Sequence, residues 1–240
     1  MHFSHHPAIW TGYPELAAGA LVARGLRRDV DAEAATARHE AVARARLEAA
    51  GSESELTEIQ AWRRAFARMG LKPTQYRCAS ESLLRRLRKE GTLPRIHPLI
   101  DLCNAVSIAF AIPVAVLDVQ RIAGSLQVRH ALGQERYLTF GGEIEHPEPG
   151  EVSFVDREGN AHARRWTNRQ SGLSAVRDET SDVLVVAEAM HTGGADDVAR
   201  LLDAIAASLH EAWGVAAQWR LLSAAQPRFD FGADQHFNSR

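Results

Sequence analysis

The sequence predicts an α+β protein, a mostly helical first part leading into a mixed or antiparallel sheet flanked by helices. Three observations carry this. Between residues 31 and 110, apolar side chains recur at helical spacing in stretches that stop at Gly51, Gly70 and Gly91. After Pro113 the texture changes to short apolar pieces with turn residues between them. From about residue 195 to 213 a helical pattern returns in Val198, Leu201, Leu202, Ile205 and Leu209. Helices first, strands next and one closing helix describe an α+β domain rather than an alternating α/β one.

Taken in order, residues 16–25 are short and apolar between Pro14 and Gly25, which suits a buried strand. Residues 31–50 are rich in alanine, arginine and glutamate and read as a helix ending at Gly51. Ser52 with Glu55 predicts a capping box before a second helix through Trp62 and Phe66. A third helix starts near Ser80 and sets Leu83, Leu84 and Leu87 opposite its arginines. Residues 93–98 form a linker, and a fourth helix spans 98–110 with proline in its first turn. Strands are predicted over 114–117, 126–131, 137–140, 152–155, 161–166 and 183–187, with a hairpin at 156–160. The N-terminal His2, His5 and His6 read as a solvated chain end rather than a metal site.

A chain of 240 residues with 45% hydrophobic content can bury one large core or a core with a small appended unit. Cys78 and Cys103 lack the spacing and partners of a zinc site and read as reduced, buried thiols, so no metal and no cofactor is expected. No apolar run is long enough to span a membrane and no export signal stands at the start, so the expectation is a cytoplasmic protein. Walker, GxGxxG, GxSxG and HExxH signatures are missing.

The formal net charge of −2 conceals an uneven distribution. Residues 61–95 hold ten cations, among them Arg77, Arg85, Arg86, Arg88 and Lys89, against Glu81 and Glu90. With Trp62, Phe66 and Tyr76 interleaved, this is either a surface for nucleic-acid phosphates and bases or the polar side of amphipathic helices. On the fourth helix Asp101, Asn104 and Ser107 recur every three residues, either edging a cavity or facing solvent. Arg164, Arg165, Trp166, Asn168 and Arg169 follow a predicted strand into a loop ending at Gly172, the kind of place where functional groups collect.

From Leu93 to Ala189 the chain resembles the B3/B4 domain, the editing domain of the phenylalanyl-tRNA synthetase β subunit, in its free-standing form. The resemblance rests on Ile100-Asp101-Leu102-Cys103-Asn104, on Pro113 through Asp118, on Arg121-Ile122-Ala123-Gly124, and on Val128-Arg129-His130-Ala131 with Gly133 and Glu135. It continues through Gly150-Glu151, Asp156 and Asp178-Glu179-Thr180 into Val183-Leu184-Val185. It implies a strand-plus-helices segment over 1–75 packed on a B3/B4-like domain over 76–215, with a C-terminal tail over 216–240. The family's pocket histidine falls on Ala115, its strand glutamate falls closest to Val186, and its glycine-rich loop is replaced by Trp166-Thr167-Asn168-Arg169-Gln170-Ser171-Gly172. An aromatic substrate such as tyrosine is therefore not expected.

The resemblance implies a protein that acts on the acceptor end of tRNA or on aminoacyl-tRNA, with neither DNA nor membrane as partner. The leading expectation is a trans-editing deacylase that hydrolyses a mischarged aminoacyl ester through a positioned water. In it Glu188 or Glu151 orients the water, Asn104, Ser107, Trp166, Asn168, Arg169 and Thr180 shape the substrate site, and the arginines of 77–89 meet the tRNA. The alternatives are a non-catalytic tRNA-binding module and a hydrolase of small amino-acid esters or amides.

Overall fold

A computed structural model describes residues 1–232. In chain order the elements are β1 (His2–His5), α1 (Pro7–Gly12), β2 (Ala17–Ala23), α2 (Glu33–Ala50), α3 (Thr57–Arg68), α4 (Ala79–Glu90), α5 (Pro98–Phe110), β3 (Val114–Asp118), β4 (Ser125–His130), β5 (Tyr137–Leu138) and β6 (Ile144–Glu145). They continue with β7 (Val152–Asp156), β8 (Ala161–Arg164), β9 (Arg169–Gln170), β10 (Val183–Ala189), α6 (Gly194–Trp213), β11 (Gln218–Leu222) and β12 (Arg228–Asp230). The α+β class read from the sequence is the class observed, and the helix over 98–110 has the predicted bounds.

Two sheets organise the molecule. One runs β12-β1-β4-β7-β8-β9 and the other β11-β2-β10-β3, with β5-β6 as a small separate hairpin. Apolar residues of both larger sheets, including Phe3, Val128 and Phe154 from the first and Ala18, Leu184 and Val186 from the second, share one core with Trp62 and Phe66 of α3. Strand alternation sends the other face of β10, Val183, Val185, Ala187 and Ala189, into a second core with Leu102 and Val106 of α5 and Leu201 and Leu202 of α6. Gly19 permits the close approach of α6, since a Cβ there would lie 2.5 Å from Leu202 Cδ1.

Three expectations change. The N-terminal histidines do not form a solvated end: β1 pairs parallel with β4, His5 opposite Val128, and antiparallel with β12. Four residues are too short to show a period, and their partners lie far along the chain. The segment expected as a tail supplies β11, paired with β2, and β12, paired with β1; residues 233–240 lie outside the described residues. Ser52 and Glu55 do not make a capping box, because Glu53–Glu55 form one 3-10 turn, the Ser52 hydroxyl meets Ser54, and α3 begins only at Thr57.

The hairpin at 156–160 is present, and buried Asp156 anchors it by accepting from the backbone N–H groups of Glu158 and Asn160, the Asn160 amide and His162. Both cysteines are free and buried, and burial pushes each thiol up to about 12. At pH 8 the native protein is therefore expected to react with a thiol reagent only after denaturant is added; a fast reacting thiol in the native state would contradict the packing.

Candidate functional site

On β10, residues Leu184, Val186 and Glu188 share the face turned to the other sheet. Glu188 thus places a carboxylate, 2% exposed, where the pattern calls for an apolar side chain. Its Oε1 accepts from His5 Nε2 at 2.6 Å and from Trp166 Nε1 at 2.9 Å. Trp62 Nε1 donates to its backbone carbonyl at 3.2 Å. Oε2 accepts no hydrogen bond among the described residues, so one lone-pair-bearing oxygen is held in place and available.

His5 reaches Glu188 because β1 presents it in register beside β4, and its side chain is fully enclosed, edge-on to Phe3 and against Trp10. With Nε2–H donated to Glu188, Nδ1 remains a buried acceptor without a partner among the described residues. Trp166 reaches it by a different device. Arg165 and Trp166 adopt φ of 47° and 58°, a left-handed pair that ends β8 and turns the indole inward. Such backbone costs about 1–2 kcal/mol per non-glycine residue and needs fixing from outside. Glu151 supplies part of that: its Oε1 accepts from the Arg165 N–H at 2.9 Å, while Trp166 N–H donates to the Val152 carbonyl at 2.7 Å. The indole then packs edge-on against Tyr13 and Trp62.

Glu188 and Trp166 line a cavity of about 60 Å³ together with Ala115, Phe154, Ala163 and Val186, with Thr167, Asn168, Arg169 and Gln170 as its polar wall. Val186 and Ala115 are direct cross-strand partners and form an apolar floor. The Asn168 amide donates to the Arg77 carbonyl and the Gln170 amide to the Val116 carbonyl, which fixes the wall and leaves each side-chain oxygen as an acceptor. Thr167 Oγ1 is buried and has no partner among the described residues. Arg169 pairs with Glu145 and lies over the Tyr137 ring.

The remaining expected site residues lie elsewhere. Glu151 lines a separate cleft with His130 and Tyr76, and its oxygens take Arg164 at 3.0 Å twice as well as the Arg165 N–H. It therefore stands apart from the Glu188 cavity, with its oxygens engaged by Arg164 and the Arg165 N–H. Burial alone would lower the Arg164 guanidinium, but the bonds and charge of Glu151 and Glu145 more than offset this and hold it charged. Removing Glu151 leaves that buried cation short of a partner. Glu151→Ala is expected to cost about 3 kcal/mol, a Tm drop of roughly 6 to 12 °C in a thermal melt, whereas an unchanged Tm would contradict this role.

Asn104 and Ser107 do not line the cavity, because α5 packs on the helical side of the β2-β10-β3 sheet; the Ser107 hydroxyl donates to the Ile112 carbonyl just past its own helix. Thr180 ties its loop to β3, donating to Asp118 and accepting from the Arg177 N–H. Most of the basic segment is neutralised within the fold: Arg85 and Arg88 meet Glu53, Arg86 meets Glu90, and Arg77 and Arg63 meet Glu81. Lys89 is exposed and has no carboxylate partner among the described residues.

Away from the cavity, Glu58, His191 and Asp197 offer ligand atoms within 4.8 Å of one another, a set able to converge on a divalent cation. Burial raises the Asp197 carboxyl, but hydrogen bonds from His191 and Arg200 outweigh it and hold it below the usual carboxylate range, and Arg46 engages Glu58. The charges are thus already balanced, and none of the three lines the Glu188 cavity.

His5, the buried partner of Glu188, is the residue that local sequence patterns missed. Its only signal is the alternation of Phe3 and His5 ahead of Pro7.

The profile of the B3/4 domain matches residues 61–202. Phenylalanine-tRNA ligase beta subunits of Cereibacter sphaeroides and Shewanella oneidensis are 33% and 32% identical to this chain over 101 residues, which is 42% of this chain and 12% of each relative. The chain therefore corresponds to a small part of their length. A solved N-terminal fragment of the phenylalanyl-tRNA synthetase β subunit from Pyrococcus horikoshii is similar over 90% of this chain and 49% of that one, with a TM-score of 0.47 and 10% identity. Among the described residues no helix is long and apolar enough to cross a membrane.

Proposed function

This chain belongs to the B3/4 domain family, and from that premise we propose that it is a tRNA-directed deacylase that hydrolyses a mischarged aminoacyl ester. The observation that carries the reading is the Glu188 carboxylate, buried at a cavity wall with one oxygen held by His5 and Trp166 and the other without a partner among the described residues. A buried carboxylate with a fixed orientation and an available oxygen suits general-base chemistry. The relatives' name, a ligase that joins phenylalanine to tRNA, motivates the choice of an aminoacyl ester.

The step follows from these groups. A water seated at Glu188 Oε2 gives up a proton to that oxygen as its own oxygen bonds to the ester carbonyl carbon, forming a tetrahedral oxyanion. Collapse of the intermediate breaks the bond from carbonyl carbon to ribose oxygen, and the proton on Glu188 passes to the departing ribose hydroxyl. The products are a free amino acid and uncharged tRNA. No covalent enzyme intermediate is needed. His5 and Trp166 hold the carboxylate in its aimed position, and His5 itself does not line the cavity.

The test is release of amino acid from a panel of mischarged tRNAs. Accelerated release from at least one member supports the reading, while folded protein that releases none overturns it. In the latter case, tRNA binding that weakens steeply with salt would leave a binding module in its place.

A further inference from the structure

Resting on the deacylase reading, we infer that the cavity beside Glu188 takes aminoacyl groups with small side chains, of the size of alanine or serine, and turns away aromatic ones. Space is the first argument. The cavity holds about 60 Å³, whereas a dry protein cavity that accommodates a benzene ring measures about 150 Å³. A phenyl or phenol side chain therefore enters only if the walls retreat.

The walls are badly placed to retreat. Phe154, Trp166 and Val186 are each no more than 1% exposed, and Ala163 is 5% exposed; Phe154, Ala163 and Val186 stand on paired strands in the two packed sheets. Trp166 is held at its nitrogen by Glu188 and at its ring by Trp62 and Tyr13. Close-packed surroundings of this kind transmit strain instead of absorbing it.

The polar side of the cavity fits the rest of such a substrate. An aminoacyl ester carries an α-ammonium group, and the acceptors free to meet it are the side-chain oxygens of Asn168 and Gln170, whose amide nitrogens are already committed to the Arg77 and Val116 carbonyls. An ammonium held there leaves the side chain facing the apolar floor of Ala115 and Val186. The floor offers room for a methyl or hydroxymethyl group.

The experiment is calorimetric titration of the whole chain with two stable amide-linked 3′-aminoacylamino-adenosines, one alanyl and one phenylalanyl. The alanyl compound is expected to bind at least tenfold more tightly, and Val186→Ala, which enlarges the cavity, is expected to narrow that ratio. A phenylalanyl compound that binds equally well or better overturns the size inference, and so does failure of both to bind. Deacylation of alanyl-tRNA, measured alongside, separates the two levels. Tight alanyl binding without amino-acid release from any tRNA of the panel sinks the deacylase reading and keeps the small pocket, whereas release together with strong phenylalanyl binding does the reverse.

Discussion

Glu188→Gln is expected to fold and to lose deacylation by a factor of about 10² to 10⁴, the range a positioned general base contributes. The amide keeps the shape of the side chain and an oxygen able to accept from both His5 Nε2 and Trp166 Nε1, so the two donors that flank Glu188 stay satisfied. What it removes is the basic oxygen facing the cavity. The loss should appear in kcat with little change in KM, since binding the substrate does not require proton transfer. Substitutions at His5 extend the test. His5→Ala removes one donor from Oε1 and should lower kcat, and His5→Gln, which returns an N–H toward the same oxygen, should recover part of it. Equal losses in the two variants would mean that His5 only fills space. Retained activity in Glu188→Gln would remove the carboxylate from the chemistry altogether.

Deleting residues 1–6 should abolish cooperative folding. β1 lies inside the six-stranded sheet, between β12 and β4, so its loss strips hydrogen-bond partners from both neighbours. It also takes Phe3, fully buried and stacked on Phe154, from the core between the sheets. Truncating a buried phenylalanine alone costs about 3–5 kcal/mol, and each lost ladder bond adds about 1 kcal/mol. Together these approach the whole stability of a typical domain, about 5–15 kcal/mol. The expected observation is a shortened chain with no sigmoidal thermal or urea transition. A full, cooperative transition near that of the intact chain would show that β1 is dispensable, and with it the delivery of His5 to Glu188. Phe3→Ala should give a lesser version, a folded protein with a lowered Tm.

These two predictions mark where the sequence is transparent and where it is not. The helix over 98–110 was legible from its helical period, and the strand within 183–189 from a short, near-continuous apolar run of the kind that is buried on both faces. The period of two in any strand then sets Glu188, the one carboxylate of that run, in step with Leu184 and Val186. Trp166 and the loop after it were legible by type, as a cluster of cations, amides and one indole at a strand end. The left-handed turn that aims the indole was not, since Arg165 and Trp166 are residues that rarely adopt it.

Pairing between distant segments is the other thing a local pattern cannot report. His5 gains its meaning from β4, which starts at Ser125, and from Glu188, 183 residues away. Asn104 and Ser107 show the same limit in reverse: helical spacing put them on one edge but did not say which side of the sheet the helix would cover. The basic segment likewise reads as a strong positive patch in sequence and as a set of ion pairs in space, because Glu53 arrives from another element and Glu81 is itself buried among the arginines.

The central claim is that this chain hydrolyses an aminoacyl ester with Glu188 as the base. Its most direct measurement is single-turnover deacylation of alanyl-tRNA by the intact chain beside Glu188→Gln, both shown to be folded by circular dichroism. Rapid release of alanine is expected from the former and release at close to the spontaneous rate from the latter. Equal rates for the two proteins would contradict that claim.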